Sequence, residues 1–221
     1  MFLALPVSVL LSQFAYLYLK KGLSGGTLDM FLVSMPLTLH FFLLLGFRVV
    51  VSYPQALEAN FIFRVGEAGQ AGHAISGFKK ALLVTAVLPP LFFCLPLYLF
   101  FWGPLAAAYH TLYSLAIALL LLELFFFNFR KIPFACEHVP GKFKLRFYWP
   151  VLLLGYLQYY LTFSHLGLGL LKDPGRYYFF FPAAALLVAA VRIQQNRKAA
   201  GAQLQFEDDD ADPGMMSLGL D

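Results

Sequence analysis

Charge is what this sequence most lacks. Asp, Glu, Lys and Arg make up 13% of its 221 residues, about half the share in an ordinary soluble domain. So little charge cannot coat a globular surface, which argues against a free-standing soluble enzyme or binding module. Cysteine is scarce as well. Cys94 stands in an apolar run and Cys136 in a basic loop, which leaves no disulfide framework, no CxxC and no His/Cys spacing for structural zinc. The sequence has no HExxH, GxSxG, Walker or paired Asp-rich prenyl-transfer motif, so no metal, cofactor or reaction is expected from motifs. The net charge of +4 does not gather into a basic patch with interleaved aromatics, and nucleic acid is not an expected partner.

What is abundant is apolar: 60% of the chain is hydrophobic and 18% aromatic. The charges fall in short islands between apolar runs that approach the roughly 20 helical residues needed to cross a bilayer. These runs predict an all-α membrane protein of about six transmembrane helices. The spans are 2–19, 28–47, 81–102, 104–127, 148–171 and 177–191. The run starting at Met1 lacks a basic leader and a small-residue cleavage site, and reads as a membrane helix rather than a signal peptide. Gly103-Pro104 divides a run too long for one crossing into a hairpin. Pro89-Pro90 and Pro96 predict a kink or break in the third span. Pro54 suits a helix start, so 54–80 is expected to hold a cytoplasmic interfacial helix. A basic loop follows at 130–146. Residues 1–198 form the transmembrane domain, and 199–221, with Glu207, Asp208, Asp209, Asp210 and Asp212, form a disordered acidic tail. A five-span arrangement, with the last run lying in the interface, would move that tail across the membrane.

Orientation follows from the cations. Six spans put Arg48, Arg64, Lys79, Lys80, Arg130, Lys131, Lys142, Lys144, Arg146, Arg192, Arg197 and Lys198 on one side, and Lys20, Lys21, Lys172 and Arg176 on the other. The positive-inside bias makes the first side cytoplasmic, with both termini. The expected setting is the bacterial inner (plasma) membrane.

Polar residues at membrane depth are the intramembrane site candidates. On the fifth span Gly155, Gln158, Thr162, His165 and Gly169 share one face at heptad spacing. They read either as a packing seam, where small residues admit a neighbouring helix and polar groups find partners, or as the wall of a polar cavity. Either reading turns the face away from lipid. Glu123, near the cytoplasmic end of the fourth span, needs a proton, a cation or water. Arg48 and Arg130 lie at the right depth to pair with it, as a structural tether or a proton site. His110, Ser114 and Asn128 share a different face, so no continuous polar stripe crosses that helix.

Two cytoplasmic strings supply further candidates. Asn60, Arg64 and Glu67 would form a narrow polar stripe on the interfacial helix, beside Glu58. Cys136, Glu137 and His138 stand in succession before Pro140-Gly141-Lys142. Adjacent side chains of an extended chain point to opposite faces, so this triplet makes a poor metal site, and Lys142 lacks the context of a phosphate-binding loop. The basic residues around them suit anionic lipid headgroups.

LEANFIFRV (Leu57–Val65) and KIPFACEHVPGK (Lys131–Lys142) resemble the ELRANWIFR-like and IPFTCxxxPGK-like motifs of a group of uncharacterised bacterial multi-pass integral membrane proteins. The resemblance runs from Arg48 to Lys142 and includes the acidic tail. This chain is similar to a C-terminal half of those longer proteins. Phe61 replaces the Trp of the first motif. The resemblance implies topology and bacterial origin, and no activity. Three functions stay open. One is a transport-type, permease-like membrane subunit, with a cytoplasmic ATPase or other membrane subunits as partners beside the lipid bilayer. The others are a membrane-embedded enzyme acting on lipid-linked substrate at the cytoplasmic face, and a structural or assembly component.

Overall fold

The computed structural model describes residues 4–21, 25–51, 71–127 and 145–199. Every regular element among them is helical. In chain order these are α1 (Ala4–Lys21), α2 (Gly25–Val50), α3 (Ala71–Leu82), a π-helical turn (Leu83–Val87), α4 (Leu88–Trp102), α5 (Pro104–Phe125), α6 (Leu145–Lys172), a 3-10 turn (Pro174–Arg176) and α7 (Tyr177–Ala199). Because α3, the π turn and α4 are continuous, these elements form six rods. Helix is what hydrocarbon demands, since its backbone bonds close within the segment.

Four stretches are long and apolar enough to cross a membrane: Asp29–Val50, Ser76–Trp102, Pro104–Phe125 and Pro174–Gln195. The chain is therefore read as an integral membrane protein. α1 and α6 are not in that set. α1 ends on Lys20 and Lys21, and α6 carries Gln158, Thr162, Ser164 and His165 along its length. The apolar stretch of α2 is 67% buried and that of the last span 11%. α2 is thus the central post, and α7 lies on the rim.

The interior is apolar and aromatic. Phe41, Leu44, Leu82, Val87, Leu91, Ala118, Leu122, Phe126 and Tyr156 form the largest cluster, where α2, the third rod, α5 and α6 meet. Leu37, Tyr113, Ile117, Leu170 and Tyr177 extend it toward the far end. The hairpin between α4 and α5 depends on Gly103, whose φ of 78° is open to glycine and costly for residues with a Cβ. Pro104 then opens α5 at a position where no amide donor is needed.

The third rod departs from expectation in two ways. Its helix begins at Ala71, so residues 71–80 belong to the rod that continues into the span and not to the interfacial segment expected at 54–80. Lys79 and Lys80 form its last basic turn before the apolar stretch. The prolines do not break it either. Pro89 and Pro90 open α4 directly after the π turn, where the amide of Leu88 reaches back to the carbonyl of Leu83. The wider turn gives the proline rings room that an α-turn would deny them. The last helix runs to Ala199, beyond the expected end at 191, because Arg192 and Gln195 have partners on the bundle side. Glu58, Asn60, Arg64, Cys136, Glu137, His138 and Lys142 lie outside the described residues, as does the tail from 200 to 221.

Candidate functional site

The clearest polar constellation centres on Glu123. The last full turn of α5 carries this carboxylate into the bundle, where the residue is 1% exposed. α3 brings Lys79, whose Nζ lies 2.6 Å from Oε2. α7 brings Arg192, whose Nε lies 2.7 Å from Oε1. One turn on from Arg192, Gln195 donates from Nε2 to the backbone carbonyl of Glu123 at 3.0 Å. Lys79 also donates to Gln195 Oε1. One buried anion is thus held by two cations from two other helices, with an amide closing the ring. Burial would neutralise a lone carboxylate, whereas two charge-assisted bonds favour the ionised pair.

Of the two expected partners, Arg48 is not among the cations on Glu123. Arg48 stacks over the ring of Phe126 at 5.7 Å, and Arg130 lies outside the described residues. The actual partners were missed for a local reason. In the sequence Lys79 falls in the 54–80 segment expected at the interface, and Arg192 follows the last expected span at 177–191. The signal was the Arg192/Gln195 pair, three residues apart and so on one face of a helix.

Below Lys79 on the same rod lies the π turn, with a second polar contact. His40 of α2, fully buried, is 2.9 Å from the carbonyl of Val87 through Nε2. A carbonyl only accepts, so Nε2 carries the proton. The rod is therefore tied by side chains above its widened turn and at the turn's last residue.

A third cluster joins α1, α2 and α6. The Tyr156 hydroxyl accepts from Gln13 Nε2 at 2.6 Å and lies 3.0 Å from Thr38 Oγ1. Two further tyrosines lock α6, Tyr113 of α5 through the α6 backbone and Tyr159 of α6 through the α2 backbone. Tyr113 donates to the Phe163 carbonyl at 2.5 Å, and Tyr159 to that of Leu37 at 3.3 Å. At the opposite end from Glu123, Trp102 Nε1 donates to Asp29 at 2.7 Å. His110 is enclosed by Tyr98, Trp102 and Tyr113, with ring centroids 5.0, 5.2 and 5.4 Å away. Together with buried Ser114 it forms an aromatic-lined polar spot within the packing. No group of three His, Cys, Asp or Glu side chains among the described residues is arranged to hold a metal ion.

The stripe on α6 lies on the outside of the bundle. Gln158, Thr162 and His165 are exposed, as is Gly155. A Cβ added at Gly155 or Gly169 would meet nothing within 4 Å. The helix packs inward through another face, centred on Gly167, where an added Cβ would meet Val33 at 2.8 Å and Tyr113 at 3.1 Å. The expectation is that this face is turned away from lipid; among the described residues no neighbouring helix of the chain covers it. The large side chains of Tyr156, Tyr159 and Phe163 define the intramolecular face, because they bury more apolar surface than Gly, Thr and Gln offer.

No protein-family model matches the chain, and no curated protein or solved structure matches it.

Proposed function

We propose that this chain is a transport-type, permease-like membrane subunit. It crosses the bacterial inner membrane six times with both termini cytoplasmic, and works with a cytoplasmic ATPase or other membrane subunits. The observation that carries the proposal is the third rod: a widened turn at Leu83–Val87, two prolines below it, and an ion-pair ring around Glu123 above it. π turns allow one part of a helix to change direction against the other, and they recur at working sites in helical proteins. The ring joins the cytoplasmic ends of three helices through two ion pairs. Arg192 is 57% exposed on one side of the carboxylate, and Lys79 is 16% exposed on the other. Such a latch opens without dragging a charge through hydrocarbon, because both cations can reach the headgroup region. Transport needs a helix end that moves between two arrangements, and in this reading the widened turn serves as the hinge and the ion-pair ring as the catch.

Spin labels at Lys80 and Gln194, both exposed, would measure the distance between these helix ends in liposomes. Two populations are expected, and Glu123→Gln shifts weight to the longer one. A single distance, unmoved by Glu123→Gln, refutes the hinge and with it the transport reading. Reporter fusions at Gly201 and Gly25 test the topology. Opposite sides are expected, with Gly201 cytoplasmic, and a periplasmic Gly201 signal rules out six crossings.

A further inference from the structure

We infer that the exposed stripe of α6 is the self-association face of the protein, and that its occupant is α6 of a second copy. The inference rests on the six-crossing topology proposed above and not on the transport activity.

The first ground is position. Gln158 lies thirteen residues from Leu145 and fourteen from Lys172, the ends of α6. In the six-crossing arrangement proposed above, α6 crosses the bilayer and Gln158 sits near its centre, far from water. Gln158, Thr162 and His165 are nevertheless on the outside of this bundle. Their one contact among themselves is within the helix, from Gln158 Nε2 to Thr162 Oγ1 at 3.2 Å. That bond leaves the Gln158 carbonyl, its second N–H, the Thr162 proton and the His165 ring to be satisfied. Lipid tails offer no partner, so another protein surface must.

The second ground is register. Spacings of three, four, three and four residues separate Gly155, Gln158, Thr162, His165 and Gly169. This is the alternation of a left-handed helix pair, with Gly, Thr and Gly in one set of layers and Gln and His in the other. The glycine layers are open, since neither Gly155 nor Gly169 has an atom within 4 Å of an added Cβ. Elsewhere the fold does use glycine for close approach, at Gly167 against Val33 and Tyr113. The helix thus has one glycine-mediated approach occupied inside the chain and a second, on roughly the opposite side, left vacant.

The third ground decides the occupant. Copies inserted with the same topology meet around a two-fold axis along the membrane normal, so every layer of the seam faces its own copy. Such a seam must be self-complementary. Gln and Thr each carry a donor and an acceptor, as does neutral imidazole, so each side chain can bond its own symmetry mate. Between Val151 and Gly169 the seam contains no Asp, Glu, Lys or Arg; the next register position is Lys172, exposed at the last residue of α6, where its ammonium can turn to the headgroup region. Val151, on the same register, is 65% exposed and extends the contact with apolar surface.

The test uses the full chain in liposomes, with Cys94→Ala and Cys136→Ser as background. Thr162→Cys is expected to form a disulfide-linked homodimer on oxidation, whereas Leu186→Cys, on the exposed rim of α7, is not. In the wild type, energy transfer between labelled copies should fall on lipid dilution as a dimer dissociates. Gly155→Leu with Gly169→Leu should weaken that association by about tenfold or more. Because both positions are open within the chain, these variants keep the wild-type helical circular dichroism. Refutation takes any of three forms. Thr162→Cys folds but forms no homodimer, or it crosslinks to a different chain alone, or the glycine variants associate as tightly as wild type.

Discussion

Replacing Glu123 by Ala probes the ion-pair ring most directly. The carboxylate is 1% exposed and lies 2.6 and 2.7 Å from its two cations. Deleting one partner of a fully buried pair costs about 3–5 kcal/mol, most of it from the charge left behind. Here the abandoned charges differ in access to water. Arg192 is 57% exposed and hydrates at once, and a pair at such a surface contributes about 0–1 kcal/mol. Lys79, at 16%, is more enclosed but keeps its bond to Gln195. Glu123→Ala should therefore cost about 2–3 kcal/mol, below the fully buried limit. Lys79→Ala should cost about 1–2 kcal/mol, since the buried carboxylate keeps Arg192. Arg192→Ala should cost about 1 kcal/mol or less, for the complementary reason. The measurement is denaturing-detergent titration in mixed micelles, followed by circular dichroism. The reasoning fails if Arg192→Ala equals or exceeds Glu123→Ala, or if Glu123→Ala leaves the midpoint unmoved. Added salt should narrow the Arg192 effect and leave the Glu123 effect nearly intact, because screening acts on the exposed side.

Gly167→Ala drives a Cβ to within 2.8 Å of Val33 and should cost about 1–3 kcal/mol by overpacking. Gly155→Ala, with open space around it within the chain, should be neutral or gain up to about 1 kcal/mol from helix propensity when the same titration is run at protein-to-detergent ratios that keep the protein monomeric. Tyr156→Phe removes the hydroxyl shared by Gln13 and Thr38. It should cost about 1–3 kcal/mol and loosen α1, read as faster amide exchange along Ala4–Lys21. Gly103→Ala forces a Cβ onto a φ of 78° with a ψ of 174°, a region essentially confined to glycine, and should cost about 1–3 kcal/mol in the same titration.

Some of this protein was written plainly along its sequence. Apolar runs divided by islands of charge and glycine determine that the chain is helical and membrane-bound, because a backbone in hydrocarbon must satisfy its own hydrogen bonds. The Gly103-Pro104 corner was readable from two residues, since a positive φ followed by a donor-free helix start is a local requirement. Glu123 stood out as a residue needing a partner, because a carboxylate at that depth is costly wherever the chain goes.

Which partner it takes was decided in three dimensions. Lys79 and Arg192 lie 44 and 69 residues away from it, and no local pattern links positions so separated. The proline pair was visible, but whether the rod would break or widen depended on its packing against α2, where His40 holds the carbonyl of Val87. The two faces of α6 show the same division. Periodicity determined that Gly155, Gln158, Thr162, His165 and Gly169 share a side. It could not determine which side turns inward, because small polar residues and a row of tyrosines both make sound helix contacts. The tertiary structure settled that choice by geometry: Tyr156, Tyr159 and Phe163 meet α2 and α5, Gly167 admits Val33 and Tyr113, and the polar stripe is left on the outside.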